Sequence, residues 1–218
     1  MRVRYFKFAG RQIYKVWWNF FAVVCDVFGR VDVVGYENIP QTPCIIVGNH
    51  VSYLDPTAMG FFHETMMCAV ARDTLMNKPL TGALFRRLNA VPVKRGQSGN
   101  LGAFREVLKR IKDGNSVIIF PEGTRSPDGK LLPGKPGAGL LAIKAGVPIL
   151  PVRSFNFERV LPRSNILRGG ERIVICIGKP VMPSEIDPGK DHSDRAEIIV
   201  NSLMERIAAI ECPRVFEV

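Results

Sequence analysis

The chain has no Cys-x-x-Cys pair. Its five cysteines, Cys25, Cys44, Cys68, Cys176 and Cys212, are odd in number and scattered over 218 residues. That argues against a disulfide framework and a structural zinc site, and it fits a reducing compartment. Cys44 and Cys176 lie inside apolar runs, where cysteine acts as a small hydrophobe. Histidine is scarcer still: His50, His63 and His192 are too dispersed for a recognisable metal motif, so no metal is expected. The uncharged run Val16 to Cys25 is ten residues long, against roughly 20 needed to span a bilayer. No small-residue cleavage site follows it, which fits a signal peptide poorly. Internal repeats, low-complexity tracts and dividing linkers are also missing.

What is present is positive charge and apolar surface. The net charge is +10 and the hydrophobic content 46%, which points to a folded chain with an anionic partner, either nucleic acid or an anionic membrane surface. The first 30 residues hold Arg2, Arg4, Lys7, Arg11, Lys15 and Arg30 against Asp26 alone, a net charge of +5. Arg4, Lys7, Arg11 and Lys15 recur at helical spacing, while Phe6, Ile13, Trp17, Phe20, Val24 and Phe28 fall largely on another face. This pattern fits a helix lying in a membrane interface, with Trp17, Trp18, Phe20 and Phe21 at the acyl boundary. A helix docked on the core with a solvated basic face is the plainer alternative. The expected organisation is a membrane-association segment over 1–30 and one larger domain over 31–218.

From Val31 onward, apolar runs of strand length alternate with helical patterns. Strands are expected at Val31–Tyr36, Cys44–Gly48, Met66–Ala71, Ala90–Val93, Ser116–Phe120, Ile149–Ser154 and Arg172–Ile177. Helices are expected at Pro56–Phe62, Leu75–Leu88, Leu101–Lys112, Ala138–Ala145 and Arg195–Ile210. In the third of these, Leu101, Phe104, Leu108 and Ile111 are expected to face inward. Such alternation predicts an α/β fold with a mainly parallel sheet flanked by helices. Ser126 to Gly137, rich in Pro, Gly and Lys, is expected to be a mobile loop beside a site.

Three strand ends carry chemistry. After Ile45-Ile46-Val47-Gly48 comes Asn49-His50-Val51-Ser52-Tyr53-Leu54-Asp55-Pro56. Asp-Pro marks a helix start with Asp55 as the N-cap, and the turn is long enough for Asp55 to fold back on His50. A base with an acid to fix its tautomer is the minimum for general-base work. Taken alone, the pair also fits a surface histidine beside a capping acid. The second end is Val91-Pro92-Val93-Lys94-Arg95, and the third is Phe120-Pro121-Glu122-Gly123-Thr124-Arg125-Ser126. In open parallel sheets, ligands bind beyond the carboxyl ends of the strands. His50 and Arg125 can therefore share one crevice, and Lys94, Arg95 and Arg125 could receive a phosphate.

Taken with Val147-Pro148-Ile149-Leu150-Pro151-Val152, these stretches resemble the four ordered motifs of the glycerolipid acyltransferases, and most nearly their short bacterial 1-acylglycerol-3-phosphate acyltransferases. The resemblance implies a glycerol-3-phosphate acyltransferase-like fold and a monotopic enzyme on the cytoplasmic face of the membrane. It implies transfer of a fatty acyl group from acyl-CoA or acyl carrier protein to the sn-2 hydroxyl of lysophosphatidic acid, giving phosphatidic acid without a further cofactor. His50 would be the base and Asp55 its orienting acid. Arg95 and Arg125, helped by Lys94, would hold the phosphate, with Glu122, Gly123 and Thr124 lining the acceptor site. Three departures stand out: Lys94 where an Asp often precedes the arginine, Ala71-Arg72-Asp73-Thr74-Leu75 for a Lys-Lys-Glu-Leu type of segment, and Asn89 where Gly is frequent.

Within the same chemistry the acceptor could be another lysophospholipid, a lyso-aminolipid or glycerol 3-phosphate. A nucleic-acid-binding protein is disfavoured, because half the net charge lies on a Trp/Phe-rich segment and no nucleic-acid motif occurs. No Ser or Cys nucleophile sits beside His50 except Ser52, so direct transfer is the simpler mechanism.

Overall fold

The structure, a computed structural model, describes residues 16, 19, 20, 23, 24, 27, 30–60, 67–94, 101–162 and 166–213. The expectations for Trp17, Trp18, Phe21, Arg95 and the basic residues before 16 lie outside them. Seven strands form one sheet: β1 Val31–Val34, β2 Ile45–Gly48, β3 Met67–Arg72, β4 Val91–Val93, β5 Ser116–Ile119, β6 Ile149–Phe155 and β7 Ile173–Ile177, in the order β1-β7-β6-β2-β5-β3-β4. β2 to β6 run parallel to one another, and β7 pairs antiparallel with β6 and parallel with β1. The sheet is thus mostly parallel, as expected.

The central strands β2 and β5 are buried at every position, which is why they hold the continuous apolar runs Ile45-Ile46-Val47 and Val117-Ile118-Ile119 rather than alternating ones. Successive side chains still take opposite faces. Ile46, Ile118 and Leu150 join one core with Met59 and Phe157, whereas Ile45, Val47, Val117, Ile119 and Ile149 join the other with Val107, Leu141 and Leu203. The helices that close these layers are α1 Asp55–Met59, α2 Asp73–Met76, α3 Pro79–Arg87, α4 Leu101–Lys112, α5 Pro136–Ala145, α6 Phe157–Val160, α7 Pro183–Ile186 and α8 Arg195–Ala208. α5 and α8 pack so closely that a Cβ on Gly139 would stand 2.0 Å from the Ala196 carbonyl oxygen.

Two helical expectations are corrected. The helix expected over Leu75–Leu88 is broken, because Lys78 precedes Pro79 and adopts an extended conformation there. On α4 the inward stripe is Phe104, Val107, Leu108 and Ile111, and Leu101 in the first turn is exposed. Asn89 takes φ 64°, a left-handed conformation that asparagine tolerates better than most residues, so it can stand where glycine is frequent. Cys44, Cys68 and Cys176 are buried, and burial pushes each thiol up to about 12, so they stay neutral core residues. At the amino terminus Val16, Phe20, Val23 and Val27 are helical and exposed. No helix among the described residues is long and apolar enough to cross a membrane.

Candidate active site

β2 and β5 are neighbours, with Val47 paired to Ile119. His50 and Glu122 each follow three residues beyond that pair, so the two turns leave the sheet side by side. They are laced together. The His50 N–H donates to Glu122 Oε1 at 3.1 Å, and the Ser126 N–H donates to the His50 carbonyl at 2.7 Å. This lacing brings the turn bearing Arg125 beside His50, as the shared crevice requires.

His50 Nδ1 stands 2.9 Å from Asp55 Oδ2. The same oxygen accepts the backbone N–H groups of Val51 at 2.6 Å and Ser52 at 2.8 Å. An oxygen that accepts two backbone N–H groups acts as an acceptor towards the imidazole as well, so Nδ1 carries the proton and Nε2 keeps its lone pair. Asp55 is 0% exposed and the His50 side chain 15% exposed. The imidazole also stacks on Phe120, with ring centroids 4.2 Å apart and planes 20° apart. Asp55 is not the cap of α1 expected from its sequence. It is the first helical residue, and its carboxylate turns back to the preceding turn instead of forward to the helix.

Glu122 is 2% exposed, and burial pushes its carboxyl up to about 7 against the donated N–H groups of His50 and Leu132; the Asp55 charge adds to the rise. Its Oε2 is buried with no partner. The folded state holds a proton on Glu122 between about pH 4.5 and about 7, where the unfolded chain has released it, so stability falls as pH rises through that window. Glu122→Gln cannot ionise. Its stability relative to wild type should shift in the variant's favour by up to about 3 kcal/mol between about pH 4.5 and about pH 8. Denaturant melts at both pH values measure this, and a pH-independent gap would mean that folding leaves the titration of this carboxyl unchanged.

Gly123 takes φ 64°, and a Cβ there would meet the Cδ, Cε and Nζ of Lys135 at 3.1 Å each. The Lys135 side chain is thus folded over the turn that Glu122 and Arg125 share, and its N–H holds the Pro121 carbonyl at 2.9 Å. The long segment after Ser126 does lie beside the site. Sequence reasoning missed Lys135, whose only signal was a cation at the end of that segment. It also missed Asn49, a polar residue ending a buried strand. Asn49 donates to the Ser154 carbonyl at 3.0 Å and accepts the Ser154 N–H at 2.7 Å, extending the β2–β6 ladder by one rung made of side chain.

Arg125 lies with its guanidinium carbon 3.6 Å from the centroid of the Tyr53 ring. Thr124 is half-buried beside it. Lys94 is exposed just past β4, the outermost strand, with β3 between it and β5. At the usual strand spacing that is about 10 Å from the Arg125 turn. Ser52 Oγ donates to the Leu161 carbonyl at 2.9 Å, away from His50.

A sequence profile of the acyltransferase family matches residues 30–154, which hold all of these turns. The chain belongs to the acyltransferase family. A chloroplast 1-acyl-sn-glycerol-3-phosphate acyltransferase of Brassica napus is 34% identical over 165 residues, 73% of this chain and 47% of that one. A 1-acyl-sn-glycerol-3-phosphate acyltransferase of Pseudomonas aeruginosa is 31% identical over 84% of this chain and 72% of its own length. The chain spans about half the length of the plant relatives it matches. The crystal structure of the 1-acyl-sn-glycerophosphate acyltransferase PlsC of Thermotoga maritima superposes with a TM-score of 0.70, at 29% identity, over 93% of this chain and 80% of that one.

Proposed function

We propose that this acyltransferase moves a fatty acyl group from a thioester, acyl-CoA or acyl carrier protein, to the sn-2 hydroxyl of 1-acyl-sn-glycerol 3-phosphate. The product is phosphatidic acid. The observation that carries the reading is the His50–Asp55 pair, with Nε2 kept as an acceptor, on a turn laced to the one that bears Arg125. The names of the relatives support the acceptor.

In this mechanism Nε2 takes the hydroxyl proton as the oxygen attacks the thioester carbonyl, and the Asp55 carboxylate stabilises the imidazolium that forms. The tetrahedral intermediate then collapses to the ester. The carbon–sulfur bond breaks, and the departing sulfur takes the proton from Nε2 as a free thiol. With Ser52 bonded elsewhere, no acyl-enzyme is needed. Arg125 and Arg95 receive the acceptor phosphate, while Glu122, Gly123 and Thr124 shape the turn beside it. Lys94, at the sheet edge, supplies charge to the approach. Membrane association on the cytoplasmic face is part of the same reading, supported by the exposed Val16, Phe20, Val23 and Val27 in a basic amino-terminal stretch.

The test is a lipid-product assay of purified protein that offers several lysolipids with each donor. Phosphatidic acid should be the main product, and preference for a phosphate-free lysolipid would sink the reading. Arg125→Ala is expected to weaken use of 1-acyl-sn-glycerol 3-phosphate about ten- to a hundredfold, the usual worth of a charge-assisted contact. The acyl-donor KM should stay unchanged. Equal loss for both substrates would make Arg125 a support of the fold instead.

A further inference from the structure

Tyr53 lies on the base-bearing turn between His50 and Asp55, yet it contributes little to the core. It is 52% exposed, and what its ring covers is the Arg125 guanidinium, 3.6 Å from the centroid. Arg125 Nη1 is buried with no hydrogen-bond partner, and no carboxylate pairs with Arg125 among the described residues. The stack is therefore what holds this side chain in place. An arginine carries many rotamers, and a fork that must present two parallel N–H groups to a phosphate gains when those rotamers are already restricted.

We infer that Tyr53 is a specificity-setting positioning residue, whose ring face fixes Arg125 so that a phosphate-bearing acceptor is seated in register with His50. The inference rests on the reading of His50 and Arg125 given above. The stack is a third tie between the two turns, beside His50 N–H to Glu122 Oε1 and Ser126 N–H to the His50 carbonyl. The other two fix backbone to backbone and carboxylate. Among the described residues, the Tyr53 ring is what meets the cation itself. Because one turn carries both the base and the ring that holds Arg125, the span from phosphate seat to Nε2 is set locally. An acceptor whose phosphate engages Arg125 then brings its hydroxyl to the base. A phosphate-free acceptor gains nothing from the stack.

The experiment measures kcat and KM for 1-acyl-sn-glycerol 3-phosphate and for phosphate-free 1-acylglycerol, at saturating acyl donor. It compares wild type, Tyr53→Phe, Tyr53→Leu, Arg125→Ala and the Tyr53→Leu/Arg125→Ala double variant. Tyr53→Phe keeps the ring face and should match wild type with both acceptors. Tyr53→Leu keeps apolar bulk but removes the π face. It should raise the KM for the phosphate-bearing acceptor about three- to thirtyfold, in line with a cation–π contact. Its donor KM and its use of 1-acylglycerol should not change. In the Arg125→Ala background, Tyr53→Leu should add no further loss, since its partner is gone. An unchanged acceptor KM in Tyr53→Leu overturns the inference. So does an equal loss with both acceptors, or a further loss in the double variant, because each assigns Tyr53 to the fold of the turn. If wild type itself does not favour the phosphate-bearing acceptor, the acceptor reading fails and this inference falls with it, an outcome visible before any variant is compared.

Discussion

Replacing His50 by alanine is expected to lower acyl transfer about 10²- to 10⁴-fold, the usual cost of removing a general base. That is about 3–5 kcal/mol on the barrier. The structural cost should be much smaller. The ring leans on Phe120, and losing it removes one of three donors to Asp55 Oδ2, while the Val51 and Ser52 N–H groups still satisfy that oxygen. One lost hydrogen bond to a buried carboxylate costs about 1.5–3 kcal/mol, which in a chain of this length lowers Tm by roughly 3–12 °C. A variant assayed well below its melting temperature stays folded, so the activity loss cannot come from unfolding. Turnover above about half of wild type would remove His50 from the chemistry.

How far such a site can be read from sequence depends on where its contacts come from. The seven strands were legible because buried parallel strands carry unbroken apolar runs between turn residues, as in Ile45-Ile46-Val47 and Val117-Ile118-Ile119. The four-residue helices Phe157–Val160 and Pro183–Ile186 were not, since one turn is too short to show a period. The reversal of β7 was also missed. Its signal was Pro162, Gly169 and Gly170, which interrupt any crossover-length helical pattern between Phe155 and Ile173 and leave an antiparallel return as the short path. At the site, the five-residue step from His50 to Asp55 is local and could be read. The lacing of His50 to Glu122 and Ser126 needs β2 and β5 to be neighbours, and nothing in a single chain states strand order. Asn49–Ser154 and Tyr53–Arg125 have the same origin, each joining residues more than 70 positions apart.

Asp55→Asn is expected to lower kcat by about 10²- to 10⁴-fold while leaving both KM values near wild type. Asp55 is fully buried behind His50, so it acts on the substrates through the imidazole. Its Oδ2 takes three N–H donors and its Oδ1 is buried with none. An asparagine has two ways to fill this place. With its oxygen in the Oδ2 position it keeps all three donors and the His50 tautomer, but it has no negative charge to offer the imidazolium, and its NH₂ is buried without an acceptor. With the amide reversed, its NH₂ faces the Val51 and Ser52 N–H groups, and His50 is driven to the tautomer that protonates Nε2. The first arrangement keeps the base but slows the reaction by electrostatics, and the second removes the Nε2 lone pair itself; both lower turnover. The decisive comparison is the double variant. If Asp55 acts through His50, Asp55→Asn should cost almost nothing further in a His50→Ala background, because the two groups work as one unit. Should the losses multiply instead, or should Asp55→Asn keep wild-type turnover, Asp55 would be a brace for the Val51–Ser52 turn with no part in orienting the base.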